Sequence, residues 1–265
     1  VTKKEILLGR RLCGLRVLVT RPEKQAKKLC QLIEAEGGQA LRFPTIEISD
    51  PEDFSTVDEI IRRLDGFHWA IFVSINAVEQ GLQRIFSQRD LPKNLNIAVI
   101  GQGTAQALAA FRLYPHLCPT SGYDSEALLA MEKWQHMEGE QVVIFRGNGG
   151  RELLAETLIQ RGAQVRYAEV YRRCLPSPAA VADFHQNLLD SPVDIAVTTS
   201  KTILENLCCL LDDSLLEKLY VTPLVVIGTR QVQRAKELGF TQVWMAQEPT
   251  DTALVEAMIK HEDRL

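Results

Sequence analysis

Short apolar runs alternate with stretches of helical period along most of this chain. LRVLVT at residues 15–20 reads as a strand, and residues 23–36 place apolar side chains at helical spacing until Gly37-Gly38 stops them. WAIFVS (69–74), NIAVIG (96–101), QVVIFR (141–146), DIAVTTS (194–200) and LVVIG (224–228) are further short apolar runs, most of them followed by helix-period sequence. Near-continuous apolar strands separated by helices suit parallel sheets covered on both faces. Two longer extended runs, at 40–49 and 164–173, each follow a first strand–helix unit and break that rhythm.

The pattern repeats. VLVTRP (17–22) matches VVIFRG (142–147), and FVSINAV (72–78) matches VTTSKTI (197–203). VIGQGTAQALAAF (99–111) matches VIGTRQVQRAKELGF (226–240), and YDSEALLAM (123–131) matches TDTALVEAM (250–258). The offsets run from 125 to 127 in chain order, which argues for an internal duplication. A tandem cut would fall near Gly139. The two long extended runs permit another arrangement, in which they pair as an antiparallel connector and each half exchanges its first unit into the other domain. The expected class is α/β, with two doubly wound parallel-sheet domains joined by a two-stranded antiparallel connector.

Composition narrows the function. At 265 residues the chain suits one large domain or two medium ones, and its 46% hydrophobic and 24% charged residues exclude a disordered chain. Lys and Arg number 30 against 34 Asp and Glu, so no overall basic field exists to hold nucleic acid. The six cysteines form no CxxC pair and have no zinc-ligand spacing, and Cys208-Cys209 falls in an apolar helical stretch suited to buried thiols. No run reaches the roughly 18 apolar residues of a membrane span, and residues 1–16 hold no signal-peptide core. The expectation is a soluble cytoplasmic protein without disulfides, metal or membrane contact.

The usual catalytic constellations are absent: no HExxH, nucleophile elbow or Walker loop occurs, and the five histidines are scattered. RGNGGREL (146–153) is Gly-rich after a strand but lacks the GxGxxG spacing. What recurs is a polar group at the carboxyl end of a strand, just before a helix: Ser74 and Asn76, Gly101 to Thr104, Ser125, Ser200 and Thr202, Gly228 and Thr229, and Thr252. Taken singly, each is a helix cap worth ~1 kcal/mol. Taken together, they mark the crevice at the carboxyl ends of doubly wound strands, where helix N-termini suit anions. Arg21 and Arg146 follow the first strand of each half and would add charge at that rim; the other reading is a solvated or salt-bridged surface arginine.

These blocks, from Val17 to Met258, resemble the uroporphyrinogen-III synthase family. The most specific stretch is RGNGGRELLAETLIQRGAQVRYAEVYRR (146–173). The resemblance implies a cleft between two α/β domains, the first from residues 1–43 plus 174–265 and the second from 44–173 with a connector strand. It implies a lyase of haem biosynthesis that cyclises hydroxymethylbilane, a linear tetrapyrrole with eight carboxylates. The terminal hydroxyl leaves to give an azafulvene, a spiro intermediate forms, and uroporphyrinogen III results with ring D inverted, without cofactor or metal. Tyr171 matches a tyrosine proposed to assist departure of the hydroxyl; a phenol is protonated near neutral pH and can donate.

Ser74 and Asn76 match the family's Ser-x-Asn-Ala block, Gly101 and Thr104 its Gly-x-x-Thr-Ala block, and Ser200 the serine of the second half. The second glycine block departs, with Gln231 where the family has Thr, so that Thr229 or backbone amides beside Gly228 stand in. A monomer is expected, with transient contact to the preceding pathway enzyme left open. The competing reading is a two-domain cleft protein that binds an anionic small molecule without chemistry; a third would use RGNGG as a phosphate loop.

Overall fold

A computed structural model describes residues 11–122 and 124–262. The first ten residues, read above for a signal peptide, and Tyr123, which opens one repeat block, lie outside the described residues. The chain divides into two compact units, with breaks between Glu47 and Ile48 and between Arg173 and Cys174. The first break falls four residues beyond the expected 43/44 boundary. Thr45 explains the shift: its Oγ1 donates to the Ile203 carbonyl at 3.3 Å, and its own carbonyl accepts from Asn206 Nδ2 at 3.0 Å.

The outer segments build a five-stranded sheet in the order β10-β9-β8-β1-β2, from β1 (Arg16–Val19), β2 (Gln39–Arg42), β8 (Ile195–Val197), β9 (Leu224–Ile227) and β10 (Val243–Ala246). All four pairings are parallel. Helices α1 (Glu23–Ala35), α7 (Pro178–Asp190), α8 (Lys201–Leu210), α9 (Asp213–Val221), α10 (Thr229–Leu238) and α11 (Asp251–Glu262) belong to the same unit. Successive strand residues face opposite ways. Val17 and Val19 therefore enter one apolar cluster with Leu29 and Ile33 of α1, while Leu18 enters another with Leu204 and Leu207 of α8. Both faces are covered, which is why these strands read as unbroken apolar runs. β10 was not legible in that way. Trp244 and Ala246 are buried while Met245 is exposed, so this edge strand alternates.

The middle segment forms a sheet in the order β3-β7-β6-β4-β5, from β3 (Glu47–Ser49), β4 (Trp69–Phe72), β5 (Asn96–Val99), β6 (Gln141–Gly147) and β7 (Gln164–Cys174). Its helices are α2 (Ser55–Arg62), α3 (Ile75–Phe86), α4 (Gln102–Ala109), α5 (Ser125–Leu129) and α6 (Leu153–Gln160). Ala70, Phe72, Val143 and Phe145 pack on one face, and Trp69, Ile71, Val142 and Ile144 on the other. The extended run at 40–49 is broken into β2 and β3 around Pro44, which has no N–H to donate to a ladder. The two extended runs meet where β3 lies beside β7.

The duplication is visible in the strand registers. Val19 pairs with Val197 and Arg42, and Ile144, 125 residues on from Val19, pairs with Ile71 and Tyr167. Val225 pairs with Trp244, and Ala98 and Leu117, each 127 residues earlier, form an isolated parallel bridge. The counterpart of β10 in the second sheet is thus reduced to one bridge. Each sheet takes strands from both halves: β1 and β2 join β8 to β10, while β4 and β5 join β6 and β7. This is the exchange that the sequence permitted but did not require.

Candidate functional site

In the second unit the site is built at the carboxyl ends of β4 and β6 and along β7. Ser74 ends the approach from β4 and caps α3: its Oγ accepts the Ala77 amide at 3.0 Å. The same Oγ lies 3.1 Å from the Tyr171 hydroxyl. Tyr171 is 1% exposed, and Arg173 Nη2 donates to its oxygen at 3.2 Å.

An irregularity in the β6–β7 ladder places that phenol. Arg146 pairs with Glu169 but Gly147 pairs with Tyr171, so one residue of β7 is extra. The bulge lets consecutive Val170 and Tyr171 both enter the core cluster, which a regular strand cannot do. Gly147 opposite has no side chain, and the Tyr171 ring occupies the space a Cβ would take.

A hollow of about 280 Å³ opens here, lined by Ile100, Arg146, Gly149, Tyr167, Tyr171 and Arg173 among others. The expected free charge at this rim is only partly present. Arg146 lies inside β6 and is 5% exposed. Its Nη1 is 3.0 Å from Glu152, its Nε donates to the Gly149 carbonyl at 3.1 Å, and its guanidinium lies 4.5 Å from the centre of the Tyr167 ring. Tyr167 donates to Glu152 in turn. Burial and the Glu152 carboxylate push the Tyr167 phenol up to about 12, while Tyr167 and Arg146 hold Glu152 below the ordinary carboxylate range. Arg146 therefore ties down its own loop while lining the hollow.

Of the other candidates in this unit, Asn76 lies half-buried in the first turn of α3. Gly101 is the extended residue before α4, and Thr104 is buried in that helix's first turn. The first turns of α3 and α4 supply amides without intrahelical acceptors.

The first unit repeats the scheme. Ser200 Oγ accepts the Ile203 amide at 3.2 Å and caps α8. Gly228 precedes α10 with φ 77° and ψ 159°, a conformation essentially reserved to glycine, and Thr229 is exposed at the helix start. Gln231 turns back to donate to the Ile227 carbonyl at 2.8 Å, leaving its buried Oε1 unpartnered among the described residues. Arg21 pairs with Asp251 at 2.5 Å, so its charge too is committed. Ser125 and Thr252 are not the caps expected from the sequence. Asp124 and Thr250 accept the Ala127 and Ala253 amides instead.

A family model described as "Uroporphyrinogen-III synthase HemD" matches residues 27–256. The chain belongs to the uroporphyrinogen-III synthase family. The uroporphyrinogen-III synthase of Escherichia coli (strain K12) is 30% identical over 244 residues, covering 91% of this chain and 99% of that one. That of Synechococcus elongatus is 34% identical over 215 residues, covering 77% of each. In fold, the chain is similar to a mutant uroporphyrinogen III synthase from the extremely thermophilic bacterium Thermus thermophilus, with TM-score 0.63 at 18% identity, covering 95% of this chain and all of that one. A uroporphyrinogen-III synthetase from Helicobacter pylori 26695 gives TM-score 0.56 at 18% identity, covering 84% and 92%.

Membership of the uroporphyrinogen-III synthase family disfavours the reading as a pure binding protein. Among the described residues no helix is long and apolar enough to cross a membrane, and no group of three or more His, Cys, Asp or Glu is arranged to hold a metal ion. Arg173, Tyr167 and Glu152 were not singled out in the sequence as parts of the site, and Gly147 only as one glycine of the RGNGG run. Arg173 left a signal of its own, since it stands two residues beyond Tyr171 on a strand and so shares its face.

Proposed function

We propose that this chain cyclises hydroxymethylbilane to uroporphyrinogen III, and that Tyr171 is its proton donor. The observation that carries the reading is the contact of the Tyr171 hydroxyl with Ser74 and Arg173 at a hollow lined by that same phenol. The linear tetrapyrrole closes unaided to the uninverted isomer, so the protein has to hold one bent geometry and help the terminal hydroxyl leave. The phenol proton passes to that oxygen as its bond to carbon breaks, and water departs. The pyrrole N–H gives up its proton as the azafulvene forms, restoring the phenol directly or through solvent. Closure through the spiro carbon then needs no outside reactant, cofactor or metal.

Carboxylates are the anions that the helix starts suit. In this reading Ser74, Asn76, Gly101 and Thr104 in one unit, and Ser200, Gly228 and Thr229 in the other, offer hydroxyls and first-turn amides. Arg21 and Arg146 add positive charge beside these groups while paired with Asp251 and Glu152, at the starts of α11 and α6. A monomer acting in the cytoplasm completes the proposal, and a single-chain mass on gel filtration tests the first part.

The deciding assay supplies hydroxymethylbilane to purified protein without any cofactor. The type III isomer is expected; formation of type I alone would remove the enzyme reading. In the same assay Tyr171→Phe should lower kcat ~100-fold while the protein melts normally. An unchanged rate would dismiss Tyr171 as the donor.

A further inference from the structure

We infer that Arg173 is a positioning residue for the proposed proton donor: its guanidinium sets the direction of the Tyr171 hydroxyl and faces the negative charge that develops there. The inference rests on the reading of Tyr171 given above.

The geometry begins with the strand. Beyond the bulge, Tyr171 and Arg173 are two residues apart on β7 and share a face. The end of the strand is fastened to the loop after β6. The Asn148 amide donates to the Tyr171 carbonyl at 2.9 Å, and Asn148 Oδ1 accepts the Arg173 amide at 2.9 Å. Arg173 Nη2 then reaches the phenol oxygen at 3.2 Å, with its guanidinium carbon 5.8 Å from the ring centre.

A guanidinium has donors only. At this contact the phenol oxygen must therefore accept, and its own hydrogen is left for another partner. Ser74 Oγ is one such partner at 3.1 Å, but it already accepts the Ala77 amide and carries a hydrogen that can turn toward Tyr171. When a substrate hydroxyl enters the hollow, Ser74 donates to the phenol oxygen, Arg173 donates to it as well, and the phenol hydrogen points outward. After the proton has left with the hydroxyl, the phenolate faces one positive charge and one hydroxyl donor. Catalytic groups gain most from donors aimed where charge develops.

The charge on Arg173 is also uncommitted. Three arginines line the hollow. Arg146 is paired with Glu152 and Arg151 with Glu126, whereas Arg173 has no carboxylate partner among the described residues. The neighbouring Arg172 is engaged as well, with Glu52.

The test uses the full chain and steady-state kinetics with hydroxymethylbilane. Arg173→Gln should lower kcat by ~10-fold or more with KM within about twofold, and Arg173→Lys should recover part of the loss. In the Tyr171→Phe background, Arg173→Gln should cause no further loss, because the group it acts on is gone. Equal losses in both backgrounds, or an effect on KM alone, would overturn the role of Arg173 while leaving Tyr171 in place. An unaffected rate in Tyr171→Phe would instead overturn the parent reading. If that variant is too slow to follow, the kcat–KM split and the lysine rescue decide the matter.

Discussion

The Tyr171 ring lies where a side chain on Gly147 would have to be. A Cβ built on Gly147 would meet the aromatic carbons of Tyr171 at van der Waals overlap. The two residues pair across the β6–β7 ladder just after its irregular step, so the glycine is what lets the phenol ring come this close to β6. Its backbone is not the reason, because Gly147 has no left-handed torsion. Gly147→Ala should therefore cost about 1–3 kcal/mol in urea denaturation, as overpacking does, and should lower kcat by displacing the phenol. Wild-type stability together with wild-type turnover would show that the ring can move aside freely.

Ser74 and Ser200 are equivalent in the repeat and cap equivalent helices, but only Ser74 touches the Tyr171 hydroxyl. Changing either to alanine should lower stability by about 1 kcal/mol. Turnover should separate them. Ser74→Ala should reduce kcat, and Ser200→Ala should act on KM alone. Identical kinetic effects would mean that the Ser74–Tyr171 contact is incidental.

Tyr167 offers a pH test. Burial first, and its bond to Glu152 second, raise the phenol from 10.0 to about 12 in the folded chain. Between these values the unfolded chain has released the proton and the folded chain keeps it, so stability is full below the lower value and falls as pH rises through the window. Tyr167→Phe should flatten that part of the alkaline slope of the urea midpoint. An unchanged difference between pH 9 and pH 12 would count against the phenol–carboxylate bond.

Arg146 holds the Gly149 carbonyl, Glu152 and the face of Tyr167 at once. Lysine keeps the charge but cannot reproduce the planar fork. Arg146→Lys should cost roughly 1–3 kcal/mol in thermal or urea unfolding, as expected for a buried charged donor whose acceptors are stranded. Its KM should change less than its stability. The opposite result, a stable protein with greatly raised KM, would make Arg146 a direct substrate ligand.

Much of the architecture was legible because it depends on local periodicity. Strands such as β1, β4 and β9 are covered on both faces, and this forces apolar residues at nearly every position. Internal repetition at offsets of 125 to 127 residues could likewise be counted along the chain. The serine caps were readable because a capping oxygen must stand just before its helix. The edge strand β10 escaped because partial exposure leaves its residues alternating.

By itself the sequence therefore determined the strand–helix rhythm, the duplication, the resemblance to a family and the identity of Tyr171 as a candidate. Tertiary structure decided which sheet each strand joins, since the pairings that link the two halves, β1 with β8 and β4 with β6, span more than a hundred and more than seventy residues and leave no local mark. It decided that Arg21 and Arg146 are already paired, because a charge's partner is set by folding and not by spacing. It also decided that a one-residue bulge brings Tyr171 against Gly147 and within reach of Ser74 and Arg173. A register shift exists only between two strands, and neither strand alone encodes it.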